Sequence, residues 1–173
     1  MKNIILIGMP GCGKSTVGVV LAKTLGMDFI DTDLIICRQE GSTLQKIIER
    51  SGLDGFSRIE SGVGSRLNVS GTVVATGGSM VLYEEAMNHL RENGIVVFVD
   101  VELPELQRRI TNITTRGITF SKGETLADIF VSRRPYYERY ADLVVSIKDG
   151  TLEQTVEKLV GRLLPLMEEC QNN

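Results

Sequence analysis

Tryptophan is missing from this chain, histidine occurs once (His89), and the three cysteines, Cys12, Cys37 and Cys170, stand far apart. No CxxC pair, HExxH or histidine triad can be assembled from that inventory, which excludes zinc sites and Ser-His-Asp chemistry. Aromatic residues make up 5% of the chain, and 19 Lys+Arg are outnumbered by 22 Asp+Glu, a formal charge of −3. A nucleic-acid partner calls for a basic stripe and stacking rings, and neither is available. No apolar run approaches the roughly 18 residues of a membrane span. The opening MKNIILIGMPG holds its apolar run at Ile4–Ile7 before glycine and proline interrupt it, too short for a signal peptide. Irregular, unpaired cysteines fit a reducing compartment, so a cytoplasmic location without a membrane partner is expected.

What is present suffices for one core. At roughly 100–200 residues per domain, 173 residues with 42% hydrophobic content make a single unit over 1–173. Val/Ile-rich runs at 3–7, 28–30, 72–75, 95–99 and 143–147 alternate with helical stretches at 14–25, 43–51, 56–67, 83–93, 106–110, 126–140 and 152–164, the last closed by Pro165. This alternation predicts an α/β fold of three layers, α/β/α, around a central five-stranded parallel sheet. The strands read as mostly continuous apolar runs, as burial on both faces requires. Gly26 and Gly94 sit where helix C-caps belong. Residues 111–124, TNITTRGITFSKGE, break the rhythm; polar and threonine-rich, they read as a lid segment.

Directly after the first strand stands Gly8-Met9-Pro10-Gly11-Cys12-Gly13-Lys14-Ser15, which meets G-x-x-x-x-G-K-[ST] at every fixed position. The strand before it and the helix after it separate a phosphate-binding loop from an ordinary glycine-rich turn. Glycines let backbone N–H groups converge on phosphate oxygens, and the helix N-terminus adds a positive dipole end. Gly11, Cys12, Gly13 and Thr16 are expected to line the nucleotide, Lys14 to reach its β- and γ-phosphates, and Ser15 to ligate Mg²⁺. Cys12 reads as a small filler of the loop rather than a reactive thiol. The fate of the γ-phosphate is a separate question. The chain has no N-K-x-D motif of a GTPase and is too short for a motor or transporter ATPase, which leaves a small phosphotransferase.

The second strand ends in Asp31-Thr32-Asp33, two carboxylates at a sheet's carboxyl edge, where open α/β sheets bind ligands. One can hold Mg²⁺ through water while the other accepts a substrate hydroxyl proton; the plainer reading is an Asp N-cap for the next helix. The third strand ends in Ala75-Thr76-Gly77-Gly78-Ser79. Paired glycines there admit a ligand to the backbone with amides free to donate, unless they form a plain turn. Arg108-Arg109, Arg116 in the lid and Arg133-Arg134 are either solvated faces or charges delivered to the leaving γ-phosphate.

Together these residues resemble the shikimate kinases, P-loop enzymes with an adenylate-kinase-like fold and a lid that phosphorylate the 3-hydroxyl of shikimate from ATP in aromatic amino-acid biosynthesis. The likeness covers nearly the whole chain and runs without gaps from the P-loop to about Ser57. GMPGCGKST is similar to the family's P-loop, FIDTD to its D-[ST]-D and ATGGS to its triple-glycine turn. The resemblance implies that Asp31 serves Mg²⁺ through water, that Asp33 binds and deprotonates the acceptor hydroxyl, and that Gly77, Gly78 and Ser79 meet shikimate through backbone amides. It also implies that Arg116 is the lid arginine, that Arg109 packs on adenine, and that Arg133 grips the substrate carboxylate and phosphates. Lys14, Asp33 and Arg116 are then the catalytic residues. Departures fall where the acceptor binds. The family's F-R-x-x-E is here Phe56-Ser57-Arg58-Ile59-Glu60, with Ser57 in place of the arginine that pairs with shikimate's carboxylate. Arg58, about 100° around a helix, cannot simply replace it; Ser57 and Arg58 both stay in the candidate acceptor site. Ser79 replaces the third glycine with a Cβ expected to intrude, and the lid's R-P-L is Arg116-Gly117-Ile118, a looser hinge.

The expectation is a monomeric, ATP- and Mg²⁺-dependent kinase of a small hydroxyl compound, shikimate first. Ser57 and Ser79 motivate the alternative of a same-fold kinase of another alcohol, such as homoserine or a sugar acid. Carboxylates at Asp31 and Asp33 make a poor floor for a nucleoside monophosphate. A nucleotide-dependent binding module that turns over no acceptor would not need the second charged subsite of Asp33 and Arg116.

Overall fold

Ile4, Ile5, Leu6 and Ile7 are 0% exposed because their strand, β1 (Asn3–Ile7), is the middle of the sheet and is buried on both faces. The computed structural model describes residues 1–110, 123–147 and 151–169. Its sheet is wholly parallel in the order β2-β3-β1-β4-β5, with β2 Asp28–Asp31, β3 Thr72–Ala75, β4 Gly94–Asp100 and β5 Leu143–Ser146. Ile4 pairs with Val73 on one side and Ile95 on the other. The polar member of β1, Asn3, is buried but satisfied. Its Nδ2 donates to the Val69 carbonyl at 2.8 Å and its Oδ1 accepts from the Thr72 N–H at 3.1 Å, which ties β1 to the start of β3.

The edge strands depart from the continuous apolar pattern. β5 alternates buried and exposed residues, with Val144 42% exposed, and β2 is half-buried. Helical cover is complete over the centre of the sheet and partial at its edges.

Helices α1 (Lys14–Leu25), α2 (Thr32–Glu40), α3 (Leu44–Arg66), α4 (Glu84–Glu92), α5 (Leu103–Arg109), α6 (Leu126–Tyr140) and α7 (Leu152–Glu169) connect the strands, with a 3₁₀ turn at Met80–Leu82. The starts of α3 and α6 carry the hydroxyl caps that sequence chemistry favours. Thr43 accepts from the Lys46 N–H, and Thr125 forms a capping box with Asp128. Two helices expected at 43–51 and 56–67 meet end to end in α3, where Gly52 (φ 68°, ψ 178°) breaks the helical path between them. α1 packs closely on the sheet: a Cβ at Gly18 would come within 2.6 Å of the Phe29 ring and 3.1 Å of Leu6. That contact fixes the N-terminus of α1 above the end of β1.

Three local expectations are corrected. α2 is a helix of its own; it buries only Thr32 and Ile36, too weak an apolar stripe to register in the sequence. Gly94 opens β4 while Asn93 is the cap of α4, and the glycine is needed for space: a Cβ there would lie 2.6 Å from the Leu90 carbonyl and 2.7 Å from Ile5. Pro165 lies inside α7, which continues to Glu169, because a proline's φ is helical even though it forfeits one backbone hydrogen bond. The apolar interior divides in two. The main core surrounds the sheet, and a second cluster of Ile36, Ile47, Phe56 and Val63 sits under the α2–α3 arm.

Candidate active site

The carboxyl ends of the strands open onto a cavity of about 870 Å³ whose lining joins the loop after β1, the Asp31–Asp33 corner and the glycine turn after β3. Open parallel sheets bind ligands at this edge. Gly11, Cys12, Gly13, Lys14, Ser15 and Thr16 line it, as do Asp31, Asp33, Gly77, Gly78, Ser79, Arg109 and Arg133. Ser57 and Arg58 do not. Arg58 points away and is exposed, as a helical step of about 100° dictates; Ser57 is half-buried behind the wall. Arg116 and most of the expected lid, residues 111–122, lie outside the described residues.

The loop owes its shape to glycine. Gly11 (φ 78°) and Gly13 (φ 100°) are left-handed, and Gly13 caps α1 without a side-chain acceptor, which leaves the first helical N–H groups to the cavity. Lys14, 8% exposed, folds back over the loop. Its Nζ donates to the Gly8 carbonyl at 2.8 Å and the Met9 carbonyl at 3.0 Å, with the fully buried Cys12 Sγ at 3.6 Å. Arg109 covers the loop from α5: Nη1 donates to the Cys12 carbonyl at 3.2 Å, while Nε is held by Glu105 at 2.6 Å. Arg134 faces elsewhere, bidentate on Asp100 at 3.1 and 3.2 Å, and serves the fold.

Asp31 takes the plainer of the two roles considered for it, the cap of α2, and its second oxygen meets Ser15. Its Oδ1 accepts from the Asp33 N–H at 3.0 Å as the cap of α2, and its Oδ2 accepts from Ser15 Oγ at 2.7 Å. A hydroxyl beside a carboxylate, both open to the cavity, is the oxygen donor set that suits Mg²⁺. No group of three or more His, Cys, Asp or Glu that could hold a metal occurs among the described residues. A magnesium ion bound here would draw its other ligands from water and phosphate, which is its usual habit. Asp33 is half-buried. Desolvation, then the charge of Asp31, pushes its carboxyl up to about 6, against the pull of Lys14.

Two expectations about the glycine turn are corrected. The Gly77 amide is engaged, donating to Thr32 Oγ1 at 3.0 Å. Ser79 adopts an ordinary helical backbone (φ −93°, ψ −9°) that a side chain takes without strain, and its Oγ donates to Glu60 Oε2 at 2.6 Å. At Gly77 it is space that demands glycine: a Cβ would lie 2.9 Å from Asp33 Oδ1 and collide with Glu60 Oε1. The turn thus runs between two carboxyls. Tyr137, buried under the same turn, donates to the Gly78 carbonyl at 2.6 Å.

Glu60, Thr32, Tyr83 and Tyr137 were not among the residues singled out for roles. Glu60 left a trace: it lies on the buried face of α3 with Phe56, Val63 and Gly64, where a carboxylate is out of place. Burial pushes its carboxyl up to about 7; the hydrogen bond from Ser79 opposes this, the Asp33 charge adds to it, and Tyr83 and Arg133 oppose it. The folded state therefore holds this proton more tightly than the unfolded chain, whose value is near 4.5, and the contribution to stability is lost as pH rises from 4.5 to 7. Glu60→Gln, which cannot ionise, is expected to gain on the order of 2 kcal/mol relative to the parent between pH 5 and pH 8. Urea denaturation at the two pH values checks this; a difference independent of pH would contradict it.

A central strand that feeds a phosphate loop, flanked by strand ends that supply carboxylates in place of a base-reading motif, defines a P-loop small-molecule kinase. Comparison with known proteins narrows the class. The family model for shikimate kinase matches residues 10–164, and the chain belongs to that family. A shikimate kinase from Sulfurihydrogenibium sp. is 35% identical over 164 residues, covering 94% of this chain and 98% of that protein. Among solved structures, the shikimate kinase of Acinetobacter baumannii in complex with shikimate aligns with a TM-score of 0.88 at 30% identity, covering 95% of this chain and 94% of that one. The shikimate kinase of Aquifex aeolicus aligns with a TM-score of 0.79 at 29% identity, covering 99% of both chains.

Proposed function

We infer that the chain is a shikimate kinase that transfers the γ-phosphate of ATP to the 3-hydroxyl of shikimate. Support comes from family membership and from one observation above all: Lys14 and Asp33, a phosphate-binding cation and a desolvated carboxylate, line a single cavity. The loop's N–H groups take the phosphates, and Lys14 exchanges the Gly8 and Met9 carbonyls for phosphate oxygens. Ser15 and Asp31 would hold Mg²⁺, which would supply charge to offset the build-up on the β- and γ-phosphates. Asp33 accepts the proton of the 3-hydroxyl as its oxygen bonds to the γ-phosphorus; the bond to the β-phosphate oxygen breaks and ADP leaves. Arg109 steadies the nucleotide above the loop, Arg133 grips the acceptor carboxylate and transferring phosphoryl group, and Arg116 with the lid excludes water. A monomeric, cytoplasmic enzyme without a nucleic-acid partner belongs to this reading. No helix among the described residues is long and apolar enough to cross a membrane.

Ser57 favours a second reading, a same-fold kinase of another alcohol, since serine cannot make a bidentate contact with a carboxylate. ADP release measured over shikimate, homoserine, gluconate and nucleoside monophosphates separates the two. Shikimate is expected to drive turnover that EDTA stops and added Mg²⁺ restores. Strong rates on homoserine with none on shikimate would overturn the first reading, and tight ATP binding with no acceptor-stimulated release would indicate a binding module.

A further inference from the structure

Thr32 stands between two carboxylates that face the cavity, yet it is 0% exposed and does not line the cavity itself. Its place follows from the way the sheet ends. β2 and β3 run side by side as far as the pair Asp31–Ala75, where β2 gives way to α2, whose carbonyls serve the helix. The chain after β3 continues to Gly77, a buried residue whose N–H needs a partner that the ladder no longer offers. Thr32 supplies one: its Oγ1 accepts from that N–H at 3.0 Å, across 45 positions of chain. A side chain thus extends the pairing past the end of the strand. Threonine suits the task, because its branched Cβ restricts χ1 and keeps the oxygen in one direction.

Gly77 is also the residue against which Asp33 is set, since a Cβ there would lie 2.9 Å from Asp33 Oδ1. Consecutive residues at the start of α2 therefore meet Gly77 from two sides, Thr32 at its N–H and Asp33 at its bare Cα. The main chain of Asp33 is held separately, its N–H donating to Asp31 Oδ1 at 3.0 Å. The side chain still has two torsions to settle, and a wall beside it decides which rotamer it keeps. Other bonds tie the glycine turn to the rest of the fold: the Thr76 N–H donates to the Leu6 carbonyl at 3.1 Å, and Tyr137 donates to the Gly78 carbonyl at 2.6 Å. Those anchors lie on β1 and α6. The Thr32 bond ties the turn to α2, the helix that carries Asp33.

We propose that Thr32 is a positioning residue for the proton acceptor: by clamping the Gly77 amide it holds the glycine turn against Asp33 and so fixes the carboxylate where the acceptor hydroxyl meets it. This rests on the reading of Asp33 as the group that takes the 3-hydroxyl proton of shikimate. The test is steady-state kinetics with ATP and shikimate on Thr32→Val, Thr32→Ala and Thr32→Ser, each made in the parent and in Asp33→Asn. Valine keeps the shape of the side chain without the oxygen. Alanine leaves room for a water on the Gly77 N–H and decides the matter if Thr32→Val does not fold. In the parent both are expected to lower kcat about tenfold, with the KM for ATP and the Mg²⁺ concentration for half-maximal rate unchanged. Thr32→Ser keeps the accepting oxygen and should recover most of the loss. In Asp33→Asn the same substitutions should cost nothing further, because the carboxylate they position is gone. Four results would each overturn the proposal while leaving the substrate reading intact: an unchanged kcat in Thr32→Val and Thr32→Ala, an equal loss in the Asp33→Asn background, a loss in Thr32→Ser as large as in Thr32→Ala, or a matching rise in the KM for ATP or the Mg²⁺ requirement. Asp33→Asn with the kcat of the parent overturns the reading of Asp33, and a parent that does not turn over shikimate overturns the substrate reading; the proposal falls with either.

Discussion

Lys14→Ala is expected to lower kcat by at least about a thousand-fold while the protein stays folded. The ammonium donates to the carbonyls of Gly8 and Met9 and meets Cys12 Sγ, and all three partners belong to the loop that the phosphates will occupy. That arrangement keeps a largely buried charge satisfied without committing it, since γ-phosphate oxygens offer the same Nζ a charged partner in place of two neutral ones. Removing the ammonium frees two carbonyls that border an open cavity, where water can reach them. The structural cost is therefore small, and circular dichroism and the melting temperature should change little. The functional cost is large because charge on the departing phosphoryl group is no longer met from the loop side. Lys14→Arg restores the charge but not the compact shape that fits between the two carbonyls, and should recover little. Unchanged turnover in Lys14→Ala would remove the basis of the mechanism.

The nucleotide half of the cavity was readable because its chemistry is local. Eight consecutive residues, Gly8 to Ser15, encode a strand end, a left-handed turn and a helix start, and each follows from backbone preferences that neighbours in sequence decide. Asp31 was readable for the same reason, being the last residue of a strand and the cap of the next helix. The acceptor half is assembled from distance. Glu60, Ser79 and Tyr83 meet across 19 and 23 positions of chain, and nothing in the local pattern around Tyr83 marks it as anything but the residue before a helix. The corrected expectations about the site fall on this side: the free amide of Gly77, the intruding Cβ of Ser79, and the places of Ser57 and Arg58 in the acceptor site. A serine in place of glycine reads as a steric fault until the carboxyl it bonds is known, and the face of Arg58, already placed about 100° away by helical geometry, is exposed as that step dictates. The α/β/α layering, by contrast, was legible in the burial of β1, β3 and β4. It failed at α2 and at the half-covered edge strands, where the apolar signal is thin.

Asp33→Asn tests the other pole of the reaction and is expected to lower kcat by about 10²–10⁴-fold. The amide keeps the shape of the side chain but cannot accept the hydroxyl proton, and its NH₂ group faces an acceptor oxygen where a lone pair is needed. The pH profile makes the test specific. Asp33 in the parent has its carboxyl pushed up to about 6 by burial and by Asp31, so it is charged above that value and protonated below it. Loss of activity should follow protonation: log(kcat/KM) for the acceptor falls with unit slope as pH drops through about 6 and is level above it, until other groups titrate. Asn at this position has no proton to gain, and its residual activity should show no acid limb there. A parent profile that is flat between pH 5 and pH 8, or an Asp33→Asn variant that keeps the acid limb, would move the proton acceptor to another group. Glu60, with a carboxyl near 7 on the opposite side of Gly77, is the neighbour to examine next, and Glu60→Gln separates the two: it should leave a limb due to Asp33 in place and abolish one due to Glu60 itself.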